Sequence, residues 1–350
     1  MKYIVMKKLT LTLVALILLI RYSIAQDQHF SQFYSSPIGT NPGNTGVFNG
    51  DLRAYTLYRM HWFTVSTPYQ TYTVSLDAHI LKRKMKKRDF FSAGLNFSND
   101  NQGSVKLKTN TYNGLLSFTK FLGGRQKHNI TIGYEFGWVT KTAVLSSLKW
   151  DNQWDGTEYN AALPSGEART NGIGYMDMST GIVWNFTTDH LFRSALGFSY
   201  QHFTAPNVTL LGGSDKLYPR IGAQWNGSLR TDATSNTFIE PSIMAASQGT
   251  TLLLDAGANV KYILTEHSHY TTNQSDQAIH FGVFYRLRDA MFVTARYDYG
   301  DYSGSVAYDV NVSGLTPASH SVGGFEIMLS YRGLYGRHRE SKRTSTRFMN

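Results

Sequence analysis

Residues 69–80 read Tyr69-Gln70-Thr71-Tyr72-Thr73-Val74-Ser75-Leu76-Asp77-Ala78-His79-Ile80. Tyr72, Val74, Leu76, Ala78 and Ile80 fall on one face of an extended chain. Thr71, Thr73, Ser75, Asp77 and His79 fall on the other. A period of two, with one apolar face and one small or polar face, marks a strand between two unlike solvents. One such strand would suit a soluble sandwich. Here the pattern recurs almost to the end of the chain with aromatic-rich apolar faces. That points to an all-β protein, a transmembrane antiparallel β-barrel with lipid outside and a polar lumen.

On either side of this stretch the strands follow one another. A first strand is expected over 51–62 and the second over 69–81. Phe91, Ala93, Leu95 and Phe97 alternate with Ser92, Gly94 and Asn96 in a third, and Tyr112, Leu116 and Phe118 mark a fourth. Ile130, Ile132, Tyr134, Phe136 and Trp138 oppose Thr131, Gly133, Glu135 and Gly137 in a fifth. Met176 to Phe186 gives a sixth, Phe192 to Tyr200 a seventh, and 220–231 and 237–247 two weaker ones. Leu252 to Tyr262, Ile279 to Leu287, 290–300, 302–312 and Phe325 to Tyr331 complete the series. The total is about 14, an even number as bacterial barrels have. If the first strand runs outward, the turns 82–89, 123–128, 187–190 and 232–236 are periplasmic and short. The long segments 141–173 and 203–219 are then extracellular, the usual arrangement; 265–277 is the exception.

The N-terminus carries Lys2, Lys7 and Lys8, an apolar run from Leu9 to Ile20, and Ser23-Ile24-Ala25. This is the pattern of a signal peptide covering 1–25 and cleaved near Ala25, with an apolar core too short to span a bilayer comfortably. The division expected is 1–25 signal peptide, 26–50 N-terminal periplasmic or lumenal segment, 51–332 barrel, and 333–350 basic tail. The location is the outer membrane, with its lipid as a partner. The chain holds 22 Tyr and 20 Phe but only 8 Pro, and no Cys. That suits long strands and interfacial girdles and excludes disulfides and thiolate metal sites. The formal charge of +10 falls to +6 once Lys2, Lys7, Lys8 and Arg21 leave with the leader.

Charges at lumen positions are the candidate site residues: Asp77, Glu135, Asp177, Arg193, Asp255, Lys261, Arg286, Arg296 and Glu326. Mixed signs inside a barrel form ion-pair networks that fill or plug it. The basic run 82–88 reads as a periplasmic turn, not a nucleic-acid patch. Asp151 to Gly156 is a weak calcium-loop pattern, with Gln153 a poor ligand and Ala162 where the closing Glu belongs. His267 and His269 lack a third ligand. No catalytic, metal or cofactor site is expected, and no enzyme activity.

The segment Gln26-Asp27-Gln28-His29-Phe30-Ser31-Gln32-Phe33-Tyr34, followed by Pro37, Asn41-Pro42 and Gly46, resembles the N-terminal signature of the PorP/SprF family. Tyr58 to Trp62 with Tyr69 to Tyr72, Leu145 to Asp151 with Leu163 to Glu167, Arg288-Asp289-Ala290, Ser305 to Asp309 and Gly323 to Ile327 extend the resemblance over the mature chain. It implies a non-enzymatic outer-membrane barrel of the type IX secretion and gliding machinery of Bacteroidetes. Such a barrel would bind the C-terminal domain of a large secreted protein and help export it or anchor it at the cell surface. Type IX components and a periplasmic peptidoglycan-binding lipoprotein are the further partners implied. The motif residues carried over as partner-binding are Asp27, His29, Phe30, Ser31, Gln32, Phe33 and Tyr34, placed at the periplasmic mouth or in the lumen; plugging the lumen is the alternative role. The basic tail after Tyr331-Arg332 departs from the family pattern. A passive diffusion porin is the alternative function, and a rim hydrolase a third class with little support.

Overall fold

The computed structural model describes residues 27–80, 89–103, 105–123, 128–144, 148–166, 170–188, 191–232, 234–265, 275–314 and 316–333. The leader 1–25, the basic run 82–88, His267, His269 and nearly all of the tail 333–350 lie outside them. Fourteen strands form one closed antiparallel barrel. They are β1 (Leu52–His61), β2 (Tyr69–Ile80), β3 (Phe90–Gln102), β4 (Leu107–Leu122), β5 (His128–Thr142), β6 (Gly172–Thr187) and β7 (Phe192–Gln201). The second half is β8 (Arg220–Arg230), β9 (Thr237–Gln248), β10 (Thr251–Thr265), β11 (Gln277–Arg286), β12 (Ala290–Tyr299), β13 (Tyr302–Asn311) and β14 (Val322–Gly333). Each strand pairs with its sequence neighbours. Closure comes from β1 on β14, in register from Leu52 opposite Gly333 to His61 opposite Gly324.

The pleat sorts side chains as the alternation requires. Leu95, Ile132, Phe281 and Val306 are more than half exposed, and such a belt all round the molecule would be untenable in water. Against acyl chains it is the matched surface, and closure leaves the backbone groups paired inside the hydrocarbon layer. The inward face carries Thr71, Thr73, Ser75, Asp77, Ser117, Thr119 and Thr131, all buried. They are buried because something fills the lumen. A barrel of fourteen strands is wider than its own side chains can fill.

That filling is the segment 27–50, made of short helical turns at Phe33–Ser35, Pro37–Thr40 and Pro42–Asn44. Ser31, Gln32, Phe33, Ile38, Asn41, Thr45 and Phe48 are all buried. Asp27 bonds to Gln248 at the end of β9, whereas Phe48 stacks on His79 near the start of β1. The segment therefore runs the length of the lumen, from the mouth bearing the connections 143–171 and 202–219 to the mouth where β1 begins.

Candidate functional site

The wall is shaped to receive this plug. Gly133 and Gly181 are register partners on β5 and β6. A Cβ at Gly133 would stand 2.1 Å from the Pro42 carbonyl oxygen, and one at Gly181 would stand 1.9 Å from Asn41 Oδ1. Only a missing side chain lets the two backbones meet. Asn41 completes the contact. Its Nδ2 donates to Ile182 O (3.3 Å) and Phe198 O (3.1 Å), and its Oδ1 accepts from Gly43 N (2.8 Å).

At the β1 mouth, Arg53 on β1 grips Asp77 on β2 with Nε and Nη2 at 2.9 and 2.8 Å. Arg53 Nη2 also donates to Asn44 O (3.1 Å), and Asp77 Oδ2 accepts from Gly46 N (2.8 Å). The bidentate pair thus clamps the turn 44–47 and closes the end of the plug. Phe48 lies between the Arg53 guanidinium, 4.7 Å from its ring centroid, and the His79 ring at 4.9 Å.

A larger network surrounds the family motif. Glu326 on β14 accepts from two consecutive amides, Ser31 N (2.6 Å) and Gln32 N (2.9 Å). Ser31 Oγ donates to Asp309 Oδ2 (2.7 Å) and accepts from Arg286 Nη2 (2.9 Å). Arg286 also pairs with Asp255 (3.0 Å) and Asp309 (3.4 Å), and Arg59 with Asp309 (3.4 Å) and Glu326 (3.5 Å). Arg59 Nη1 further donates to the His29 carbonyl. Charges so deeply buried are tolerable only when paired, and here each has an opposite charge beside it. Below them Phe33 packs edge-on to Phe284 at 6.2 Å and Tyr34 stacks on it at 5.5 Å.

At the far mouth Asp27 meets His202, which follows the end of β7. His202 Nε2 is 2.7 Å from Asp27 Oδ2, and Nδ1 is 2.6 Å from Asp177 Oδ2. Burial opposes the imidazolium, but the carboxylates on both sides more than offset it and push His202 up to about 10. Asp27 is held below its ordinary value against burial, by His202 first and then by Arg220.

The sequence-selected charges fall into separate groups. Asp255, Arg286 and Glu326 meet around Ser31, Asp77 lies at the opposite mouth, and Asp177 belongs to the His202 group. Glu135 stands beside Ser179 and Asn113, in the field of Asp177 and His202. Arg296 pairs with Asp298 at 2.7 Å, and His280 bridges Asp298 and Glu240 at 3.1 Å each, with Lys261 in the same field. Arg193, half-buried, feels Glu240 from the next side. Asp155 caps its own loop, accepting from Thr157 N, Thr157 Oγ1 and Glu158 N.

Sequence reasoning missed Arg53, Arg59, Asp309, His202 and His280. For the two arginines the signal was present: they share parity with Tyr55 and Leu57, the buried side of β1. His202 carried none, since it lies beyond the alternating run.

These features define a transmembrane antiparallel barrel of outer-membrane type whose lumen is occupied by its own N-terminal segment. Residues 23–331 match the family described as type IX secretion system membrane protein PorP/SprF, and the chain belongs to that family. A comparison with curated proteins gives no match. Among solved structures, the P. putida toluene transporter TodX is similar at a TM-score of 0.48 and 9% identity, over 85% of this chain and 94% of that one. A Pseudomonas aeruginosa FadL homologue gives 0.46 and 9%, over 85% and 93%. CdiB from Acinetobacter baumannii gives 0.39 and 10%, over 81% and 60%. Likeness at this level carries no argument about function.

Proposed function

We propose that this barrel works in type IX secretion by binding the C-terminal domain of a large secreted or surface protein, helping to export it or hold it at the cell surface. The observation that carries this reading is the plug. A lumen occupied from Ser31 to Phe48 and pinned by buried ion pairs is unsuited to passive diffusion, which argues against a porin. It suits a scaffold that presents its rim and wall to other proteins. No enzymatic step is part of the proposal.

In this reading the chain enters the periplasm with a leader cleaved near Ala25. Residues 26–50 then seat in the lumen and 51–332 form the barrel. The motif Asp27, His29, Phe30, Ser31, Gln32, Phe33 and Tyr34 serves the partner indirectly. Ser31, Gln32 and Phe33 are buried in the lumen, so they set the position of the plug and leave the contact surface to others. Asp77, Asp177, Asp255, Arg286 and Glu326 hold that plug, directly or through one neighbour. The basic residues Arg337, Arg339, Lys342, Arg343 and Arg347 follow the last strand in the sequence and would offer cations to a periplasmic partner such as a peptidoglycan-binding lipoprotein.

The test is affinity purification of the tagged barrel from detergent-solubilised outer membranes, with mass spectrometry of what accompanies it. A large surface protein or a lipoprotein at equal stoichiometry supports the reading. A partner-free barrel that conducts ions in planar bilayers sinks it in favour of the porin.

A further inference from the structure

At the mouth where β1 begins, lumenal cations exceed their partners. Arg332 is the penultimate residue of β14 and shares parity with Glu326 and Met328, both buried in the lumen. It therefore points inward, and it is half-buried. Its register partner across the closing seam is Arg53. Like charges directly opposite one another on neighbouring strands repel. Arg53 is neutralised by Asp77 at 2.8 Å, but among the described residues no carboxylate pairs with Arg332. Its bond to Asp301 is a backbone one, Arg332 N donating to the carbonyl (2.8 Å).

The Arg332 side chain makes a single bond among the described residues, from Nη2 to Ser303 Oγ at 3.3 Å. The same hydroxyl accepts from Arg296 Nη2, also at 3.3 Å. Two guanidiniums thus meet on one neutral oxygen, at distances longer than the ~2.7–2.9 Å of a charge-assisted bond. Arg296 has a carboxylate of its own, Asp298 at 2.7 Å.

In the register row that holds Arg296, His280 comes next and Lys261 after it. Lys261 lies over the Phe238 ring at 5.6 Å and forms no ion pair among the described residues. Glu240, the acid in its field, is bonded to His280 instead (3.1 Å). The plug does not supply the missing charge. Its turn 44–47 is held by Arg53 and Asp77, and its one acid, Asp27, sits at the opposite mouth.

We propose that Arg296, Ser303 and Arg332 form an oxyanion site at this mouth, taking a phosphate or carboxylate group, with Lys261 adding positive charge. The site goes beyond the secretion reading and does not rest on it. Guanidinium forks match the oxygens of carboxylate and phosphate two at a time. A neutral hydroxyl offers the same forks two lone pairs and no charge. A bound oxyanion therefore replaces two long bonds by charge-assisted ones and neutralises the arginine that Asp77 and Asp298 leave over. These side chains face the lumen, inside the wall, whereas membrane phospholipids lie outside it. The group accordingly arrives as a free ion or on an acidic peptide.

The experiment titrates the full-length barrel in non-ionic detergent, by calorimetry, with inorganic phosphate and with a triglutamate peptide. Ionic strength is held constant with sodium chloride. Expected is saturable binding of at least one probe, weakened at least tenfold in Arg332→Gln. Lys108→Gln, which alters an exposed cation at the other mouth, should change it less than twofold. Binding of phosphate alone makes the source a free ion, and binding of the peptide alone makes it an acidic chain. The bound probe should also raise the temperature at which the wild-type barrel loses its heat-modifiable band, and leave that of Arg332→Gln unchanged. Without a probe, Arg332→Gln should be at least as stable as the wild type, because it removes a repulsion. A lower transition temperature in that variant would make the arginine a structural contact and overturn the site. So would the failure of both probes to bind, or binding that Arg332→Gln leaves unchanged, which is an adventitious ion only.

Discussion

Gly133 offers the sharpest test of how the lumen is filled. In Gly133→Val the new Cβ would lie 2.1 Å from Pro42 O and 2.6 Å from Gly43 N. Both are backbone atoms, so no rotamer relieves the clash and residues 42–43 must lift from the wall. Overpacking of this kind costs ~1–3 kcal/mol. Lifting also pulls Asn41 from Ile182 O and Phe198 O, about 1 kcal/mol for each bond. The total is about 4 kcal/mol, roughly three powers of ten in the ratio of seated to unseated plug. Open-state probability in planar bilayers should rise accordingly, scaled against a barrel lacking residues 27–48 as the fully open reference. Gly304→Val is the control, since a Cβ there meets only Leu329 Cδ2 at 3.5 Å. If Gly133→Val keeps wild-type conductance while folding normally, the plug does not sit on these glycines and the reasoning fails.

Other perturbations address the clamps. Asp77→Asn leaves the buried Arg53 without its counter-charge, and breaking a buried pair costs about 3–5 kcal/mol; the temperature at which the barrel loses its heat-modifiable band should fall. Glu326→Gln keeps one acceptor for the Ser31 and Gln32 amides but removes the charge facing Arg59. Proteolysis within 27–34 should become faster, while wild-type resistance would deny the clamp a role. The His202 group should be sensitive to pH in both directions. The raised histidine contributes fully below pH ~6.5 and loses its contribution as pH rises through about 10. Asp27, held low, contributes above ~4 and loses this as pH falls. Exchange protection of the Asp27 amide should therefore be greatest between these limits, and His202→Gln should abolish its alkaline fall. The charged neighbours Asp177, Glu135 and Arg220 are retained in that variant.

Much of the wall was legible because strand alternation is local. Thr71 to Ile80 declares its two faces whatever lies beside it, and the same holds for Ile130 to Trp138. Glycines at 133 and 181 could be read only as lumen-side positions. That they form a seat depends on Pro42 and Asn41 arriving from a distant, aperiodic segment. The motif at 27–34 was recognisable as a pattern, but its burial was not, since it has neither helical nor strand period to say which face meets what.

By itself, then, the sequence determined the class of fold: alternation, aromatic belts and an even strand count suffice for a closed barrel, because each is a property of residues close together in the chain. Only the tertiary structure decided what the lumen contains and which charges meet. Glu326 finds Ser31, and Arg286 finds Asp309 and Asp255, through barrel closure and the threading of residues 27–50 from one mouth to the other. Those partners are set by register across the closed sheet, a non-local quantity that no stretch of sequence carries on its own.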